Sequence, residues 1–210
     1  MHCTFDHVAA ALALPEFDGH AAQQRMMPQA RVSFRPVDRQ GAPRQGAVLF
    51  LLYCFNDRLT LVLTRRRDDL NSHPGQVSLP GGQHEPPETL EETALRETYE
   101  EIGVPPEQIQ LLGQLTSIYI MPSDFQVQPF VGAYVGNGRP VFVPDPGEVA
   151  AVLEAPLDDL LDDALRIEEL WQLRGTEVTV PFFQLDGHKV WGATAMMLSE
   201  FAERLRLAVV

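Results

Sequence analysis

Two β-rich apolar runs, Ala47–Phe55 and Arg58–Arg65, begin the patterned part of the chain, and Asn56-Asp57 between them is a hairpin turn signal. Asp68–Gly82 follows as a Gly/Pro/Ser-punctuated loop enclosing the short strand-like Gln76–Leu79. The rhythm then changes to that of a helix. Pro86 and Pro87 cannot lie in a helix interior, Thr89-Leu90-Glu91-Glu92 matches a capping box, and Gly103 with Pro105-Pro106 ends the segment. Leu90, Ala94, Leu95, Tyr99 and Ile102 fall at helical spacing, predicting one apolar side. Strands are expected at Ile109–Ser117, Val127–Val135, Val149–Ala155 and Glu177–Leu185, an acidic helix at Leu157–Leu170, and a last helix near Ala193–Leu205. Helices and strands mix without regular βαβ alternation, which favours α+β or a mixed-sheet α/β sandwich. Residues 1–45 read as an arm with a short helix near Asp6–Leu14, and 46–210 as the main domain.

Composition narrows the function. The chain has 210 residues, and 16 Lys+Arg against 29 Asp+Glu leave a net charge of -13, which disfavours nucleic acid and anionic membranes as partners. It leaves room for a small phosphorylated substrate held at a basic patch or on metal ions. Two cysteines, Cys3 and Cys54, cannot build a disulfide framework or a Cys-based zinc site, and Cys54 reads as a buried core thiol. The apolar stretch Val8–Leu14 follows Asp6 and is closed by Pro15, too short for a membrane span and lacking a basic leader, so the expected compartment is the cytoplasm.

The capped helix carries the chemistry. Glu97, Glu100 and Glu101 fall within an arc of roughly 100° on one face. Like charges at these spacings destabilise a helix, more so near its negative end, and a divalent cation reverses that cost. Three oxygen ligands suit Mg²⁺ or Mn²⁺ better than zinc. Taken alone, such a face is ordinarily just solvated.

It does not stand alone. Gly82, five residues, Glu88, seven residues, then Arg96-Glu97-Thr98-Tyr99-Glu100-Glu101-Ile102-Gly103-Val104 resembles the Nudix box, G-x5-E-x7-R-E-U-x-E-E-x-G-U with U aliphatic. Thr98 is the one departure, at a position expected to face the core. The resemblance implies a loop-helix-loop cradle for a diphosphate on an α/β/α sandwich with a mixed sheet. By position, Glu97, Glu100 and Glu101, with the carbonyl of Gly82, would be metal ligands. Arg96 would orient carboxylates, with Glu88 as its partner.

The stretch from Val62 to Gly82 is similar to the extension L-L-T-x-R-[SA]-x3-R-x3-G-x3-F-P-G-G of coenzyme A pyrophosphatases in that superfamily. Leu63, Thr64, Arg66, Gly75, Pro80, Gly81 and Gly82 fit, whereas Val62, Arg67, Asn71 and Leu79 depart. Arg65, Arg66, Gly75, Gly81 and Gly82 are therefore the expected substrate-binding positions. Asn71 removes a charge that the Arg65-Arg66-Arg67 triple could replace, unless those arginines simply pair with Asp68 and Asp69. The implied reaction is metal-assisted hydrolysis of coenzyme A (CoA) to 3′,5′-ADP and 4′-phosphopantetheine. Alternatives are a Nudix pyrophosphatase for NADH, ADP-ribose or another nucleoside diphosphate derivative, and a Nudix-fold sensor without catalysis. Glu100 or Glu101 could activate water, and Glu148, after Asp145-Pro146-Gly147, is the candidate general base from outside the box. His73 and His84 read as loop residues or hydrogen-bond partners rather than ligands. The expected oligomeric state is a monomer or a homodimer.

Overall fold

The computed structural model describes residues 2–30, 41–70, 74–173 and 175–209, so Pro36, Asn71 and His73 lie outside the described residues. In chain order the elements are α1 (Phe5–Leu12), α2 (Gly19–Gln24), β1 (Gln29–Ala30), β2 (Arg44–Phe55), β3 (Arg58–Arg66), β4 (Val77–Ser78), β5 (Gly81–Gln83), α3 (Leu90–Ile102), β6 (Ile109–Gln114), β7 (Ile118–Ile120), β8 (Phe125–Tyr134), β9 (Val149–Pro156), β10 (Arg166–Leu173), β11 (Thr176–Leu185), β12 (His188–Trp191) and α4 (Gly192–Ala208).

The β2–β3 turn bends back through Asn56 and Asp57, both at positive φ, a conformation Asn and Asp tolerate better than most residues. The larger sheet runs β4-β3-β2-β8-β6, with β5 also on β2, β7 on β8 and β9 on β3. Among the described residues only β2 and β8 pair in parallel, from Arg44↔Phe125 to Leu52↔Ala133; the other pairs are antiparallel, which makes the sheet mixed. Strand geometry sends alternate side chains to opposite faces. Ala47, Leu49, Leu51 and Tyr53 of β2 therefore pack with Ala94 and Ile102 of α3, while Phe50 and Leu52 pack with Phe201 and Leu205 of α4. A strand covered on both faces needs the continuous apolar run that β2 has.

The second face carries α1, α2, α4 and the small antiparallel sheet β1-β11-β10, with β12 also on β11. Val8, Ala11 and Met26 of the N-terminal segment belong to the same apolar cluster as Phe50 and Phe201. A buried ion pair ties this segment down. Glu200, fully buried, accepts from Arg204 Nε (2.9 Å), Gln23 Nε2 (2.8 Å) and Thr116 N (3.0 Å). Among the described residues no helix is long and apolar enough to cross a membrane.

Two expectations are corrected. The acidic Leu157–Leu170 segment is not a helix: two short 3-10 turns, Leu157–Leu161 and Asp163–Leu165, lead into strand β10. Asp162 accepts from Ala164 N at 2.9 Å, the local side-chain bond by which Asp competes with helix continuation. Cys54 is exposed and Cys3 is the buried thiol. Alternation places Cys54 on the face of Phe50 and Leu52, but at the hairpin end, past their cover.

Candidate active site

Helix α3 is stopped at both ends by its own sequence. Thr89 Oγ1 accepts from Glu92 N (3.2 Å) and Glu92 Oε2 from Thr89 N (2.7 Å), closing the capping box; Gly103 ends the helix at φ 75°. Its inward stripe is Ala94, Thr98, Glu101 and Ile102, the i, i+4, i+7, i+8 pattern. Tyr99, expected on the apolar side, lies 53% exposed, about 100° round the helix from Thr98. Thr98 is fully buried and donates Oγ1–H to Ala94 O at 2.7 Å, so a hydroxyl at the usual aliphatic position leaves no unpaired group.

Strand β5 lays the start of the box beside β2, with Gly82 opposite Ala47 and Gly81 opposite Val48. Gly81 has φ +149°, and a Cβ there would stand 2.3 Å from Ala47 O. A Cβ on Gly82 would stand 2.4 Å from Glu97 Oε1, so its missing side chain is the space the Glu97 carboxylate occupies.

Arg96 is the hub. Its Nε and Nη2 donate to the two Glu88 oxygens, both at 2.9 Å, and its Nη1 to Glu97 Oε1 and Glu100 Oε2, both at 3.0 Å. Nη2 also reaches Gln83 O at 3.1 Å. Bidentate guanidinium–carboxylate pairing fixes orientation as well as charge. The Arg96 hydrogen bonds, with those from Glu85 N (2.9 Å) and Thr93 Oγ1 (2.8 Å), hold the Glu88 carboxyl down at about 2. Thr93 escaped the sequence reading; its signal is its place one turn before Arg96 and one turn after the cap. His84 Nδ1 lies 3.1 Å from Thr93 Oγ1, a partner of this network.

The three box carboxylates sit in different environments. Glu100 is exposed at the rim. Burial pushes the Glu97 carboxyl up, against the pull of Arg96. Glu101 is only 7% exposed, and burial, reinforced by the charges of Glu97 and Glu148, pushes it to about 8. Gly81 N–H is hydrogen-bonded to that carboxylate, yet among the described residues its buried Oε2 has no partner.

Glu148 comes in from the far side of the sequence. Pairing of β3 with β9 sets Arg66 opposite Val149, and Glu148 Oε2 lies 3.4 Å from Arg66 Nη1. Its loop docks on the helix end through Asp145 N to Glu101 O at 2.9 Å. The arginine triple divides. Arg65 donates Nη2–H to both Asp68 oxygens (2.6 and 2.7 Å), and Arg67 pairs with Asp69 and the carbonyl of Pro146. Of the three, Arg66 faces Glu101 and Glu148, and among the described residues its buried Nε has no partner. Gly75 is set back, closing the loop at φ +66° against Asp68.

The donor set suits a hard divalent cation: carboxylate oxygens, a carbonyl, and one orphaned buried oxygen that a cation would satisfy. Among the described residues no three His, Cys, Asp or Glu side chains form a ready-made ligand cluster, because Glu97 and Glu100 are turned onto Arg96.

Comparison with known proteins agrees with this geometry. Residues 43–174 match the NUDIX domain family. The chain is 39% identical over 183 residues to an uncharacterized Nudix hydrolase, NudL, of Pectobacterium atrosepticum, covering 85% of this chain and 90% of that one. It is 36% identical to Nudix hydrolase 3 of Caenorhabditis elegans, covering 79% and 75%. In fold it is similar to the M. smegmatis Nudix hydrolase RenU (TM-score 0.55, 16% identity, covering 86% and 92%) and to a MutT/nudix protein of Enterococcus faecalis (TM-score 0.53, 16% identity, covering 98% and 75%). The chain belongs to the Nudix hydrolase family.

Proposed function

We propose that this Nudix hydrolase cleaves the diphosphate of coenzyme A or its derivatives, giving 3′,5′-ADP and 4′-phosphopantetheine. One observation carries the reading. Three of the residues that match the CoA-type extension lie at the acidic site: Arg66 pairs with Glu148 and its charge acts on Glu101, and Gly81 and Gly82 form the β5 wall. In this reading residues 46–210 carry the chemistry and the arm 1–45 supports them.

Nudix hydrolases work with divalent metal ions, and Glu97, Glu100 and Glu101, with Gly82 O, are the proposed ligands here. When bound, Mg²⁺ or Mn²⁺ neutralises diphosphate charge and makes water more acidic. The chain's own residues do the rest. Arg96, locked by Glu88, keeps Glu97 and Glu100 in place. Arg66 meets substrate negative charge that this acidic protein otherwise repels. Glu148, half exposed beside Arg66, is placed to take the proton of the attacking water. Water adds to phosphorus, the bond to the bridging oxygen breaks, and that oxygen leaves on the other phosphate.

A second reading, NADH, ADP-ribose or another nucleoside diphosphate derivative, is favoured by the pairing of Arg65 with Asp68 and Arg67 with Asp69. That pairing leaves Arg66 as the one member of the triple facing the acids. The test is hydrolysis of CoA, NADH and ADP-ribose at equal concentration with Mg²⁺ or Mn²⁺, with and without EDTA, products read by mass. The CoA reading expects metal-dependent release of 4′-phosphopantetheine, with CoA cleaved fastest. Faster cleavage of NADH or ADP-ribose overturns it in favour of the second.

A further inference from the structure

Strand β10 closes the small sheet on one side: among the described residues it pairs with β11 and with no other strand. Its outer edge is eight residues long, and it exposes Leu170 (67%) and Ile167 (37%). Leu170 and Ile167 lie on opposite faces of the strand, and its unpaired backbone edge is a template for another strand. We infer that the β10 edge is a homodimer seam, two copies pairing antiparallel about a twofold axis through Leu170. This inference is independent of the substrate reading.

The register follows from geometry and charge. In an antiparallel pair, facing residues must both turn their N–H and C=O groups toward the partner or both away. Two identical strands related by a twofold therefore pair only in registers centred on a residue, not between residues. Centring on Glu168 or Glu169 sets two like carboxylates face to face, which is destabilising. A centre nearer either end of β10 leaves fewer residues overlapping. Centring on Leu170 overlaps 167–173 and sets Leu170 against its own copy, Ile167 against Leu173, Glu168 against Gln172, and Glu169 against Trp171. No like charges stand directly opposite one another; the nearest, Glu169 and its own copy, are diagonal neighbours. Glu169 is in addition already engaged by Lys189 Nζ at 2.6 Å and Trp171 Nε1 at 2.9 Å, so it enters the seam neutralised.

The seam is small, and association is expected in the micromolar range, at the weak end of specific interfaces. The test is sedimentation equilibrium of the full chain across that range, on the wild type and on Leu170→Lys, Gln172→Lys and Gln172→Glu. Leu170 and Gln172 are exposed, so these variants should keep the fold, which far-UV circular dichroism and thermal melting check. The wild type is expected to pass from monomer to dimer and Leu170→Lys to stay monomeric. Gln172→Lys faces Glu168 of the partner twice per dimer and should tighten association roughly 2- to 30-fold, while Gln172→Glu should weaken it by a like factor. A wild type that stays monomeric throughout overturns the inference. So does a dimer indifferent to Leu170→Lys, and a dimer that responds equally to Lys and Glu at 172 overturns the register.

Discussion

Replacing Glu88 by Gln tests the hub at the point where its energy is most concentrated. Glu88 accepts four hydrogen bonds, two of them a bidentate pair from Arg96, and its carboxyl is held at about 2 against 4.5 when free. That depression corresponds to at most ~3.4 kcal/mol of stability near neutral pH. The side chain keeps 16% of its surface in water, and solvent screening brings the expected loss in Glu88→Gln to about 1–2 kcal/mol. The sign fixes the pH dependence. A carboxyl held low in the folded chain takes up protons first in the unfolded chain, so its contribution is complete above 4.5 and falls away as pH drops toward 2. Urea unfolding near pH 7 should therefore show the variant's deficit, and near pH 3 that deficit should shrink by more than half. Turnover should fall as well. Without its main partner, Arg96 is left to Glu97, Glu100 and the Gln83 carbonyl, and loss of such an orienting residue costs roughly 10- to 100-fold in activity. A variant as stable and active as the wild type near pH 7 refutes the reasoning, as does a deficit undiminished in acid.

Gly82→Ala places a methyl 2.4 Å from Glu97 Oε1; it should lower kcat/KM by about 100-fold with little change in melting temperature, read by activity assay and thermal scan. Glu200→Ala leaves Arg204, Gln23 and Thr116 facing an empty position and should cost about 3–5 kcal/mol in urea unfolding, because a buried arginine loses its counter-charge. Burial, the Asp158 charge and a hydrogen bond to it push the Cys3 thiol up to about 11, so thiolate is scarce there near neutral pH. One thiol per native chain, that of Cys54, should react with a disulfide reagent at mildly alkaline pH, and the second only on unfolding. Two fast-reacting thiols in the native chain would contradict the burial of Cys3.

What could be read from the sequence is what local chemistry decides. Thr89, Glu92 and Gly103 mark the ends of α3 because caps act within a few residues, and the Asn56-Asp57 turn is legible for the same reason. The Leu157–Leu170 segment, expected to be an acidic helix, is the exception. Pairing with β11 and the Asp162 side chain decide otherwise. Tyr99, expected inside from helical spacing, and Cys54, expected inside from its apolar run, are exposed because such patterns do not report how far cover extends along a face.

At the site the distinction is sharper. Spacing alone puts Glu97, Glu100 and Glu101 on one side of α3 and treats them as equivalent. The fold separates them by depth, with Glu100 at the rim, Glu97 half-buried above Gly82, and Glu101 buried with an orphaned oxygen. No local rule foretells that gradient, since it depends on how far β5 and the 145–148 loop overlap the helix end. The same overlap brings Glu148 and Arg66 together across 82 residues, through the register of β3 with β9. The arginine triple makes the converse case. Pairing of Arg65 with Asp68 and Arg67 with Asp69 is local and foreseeable, whereas the pairing of Arg66 with Glu148 follows from its place at the end of β3, opposite β9. Family membership is therefore legible in the sequence, because the box is a local pattern of spacing, whereas the surroundings of Arg66 are set by tertiary structure and have no local signal.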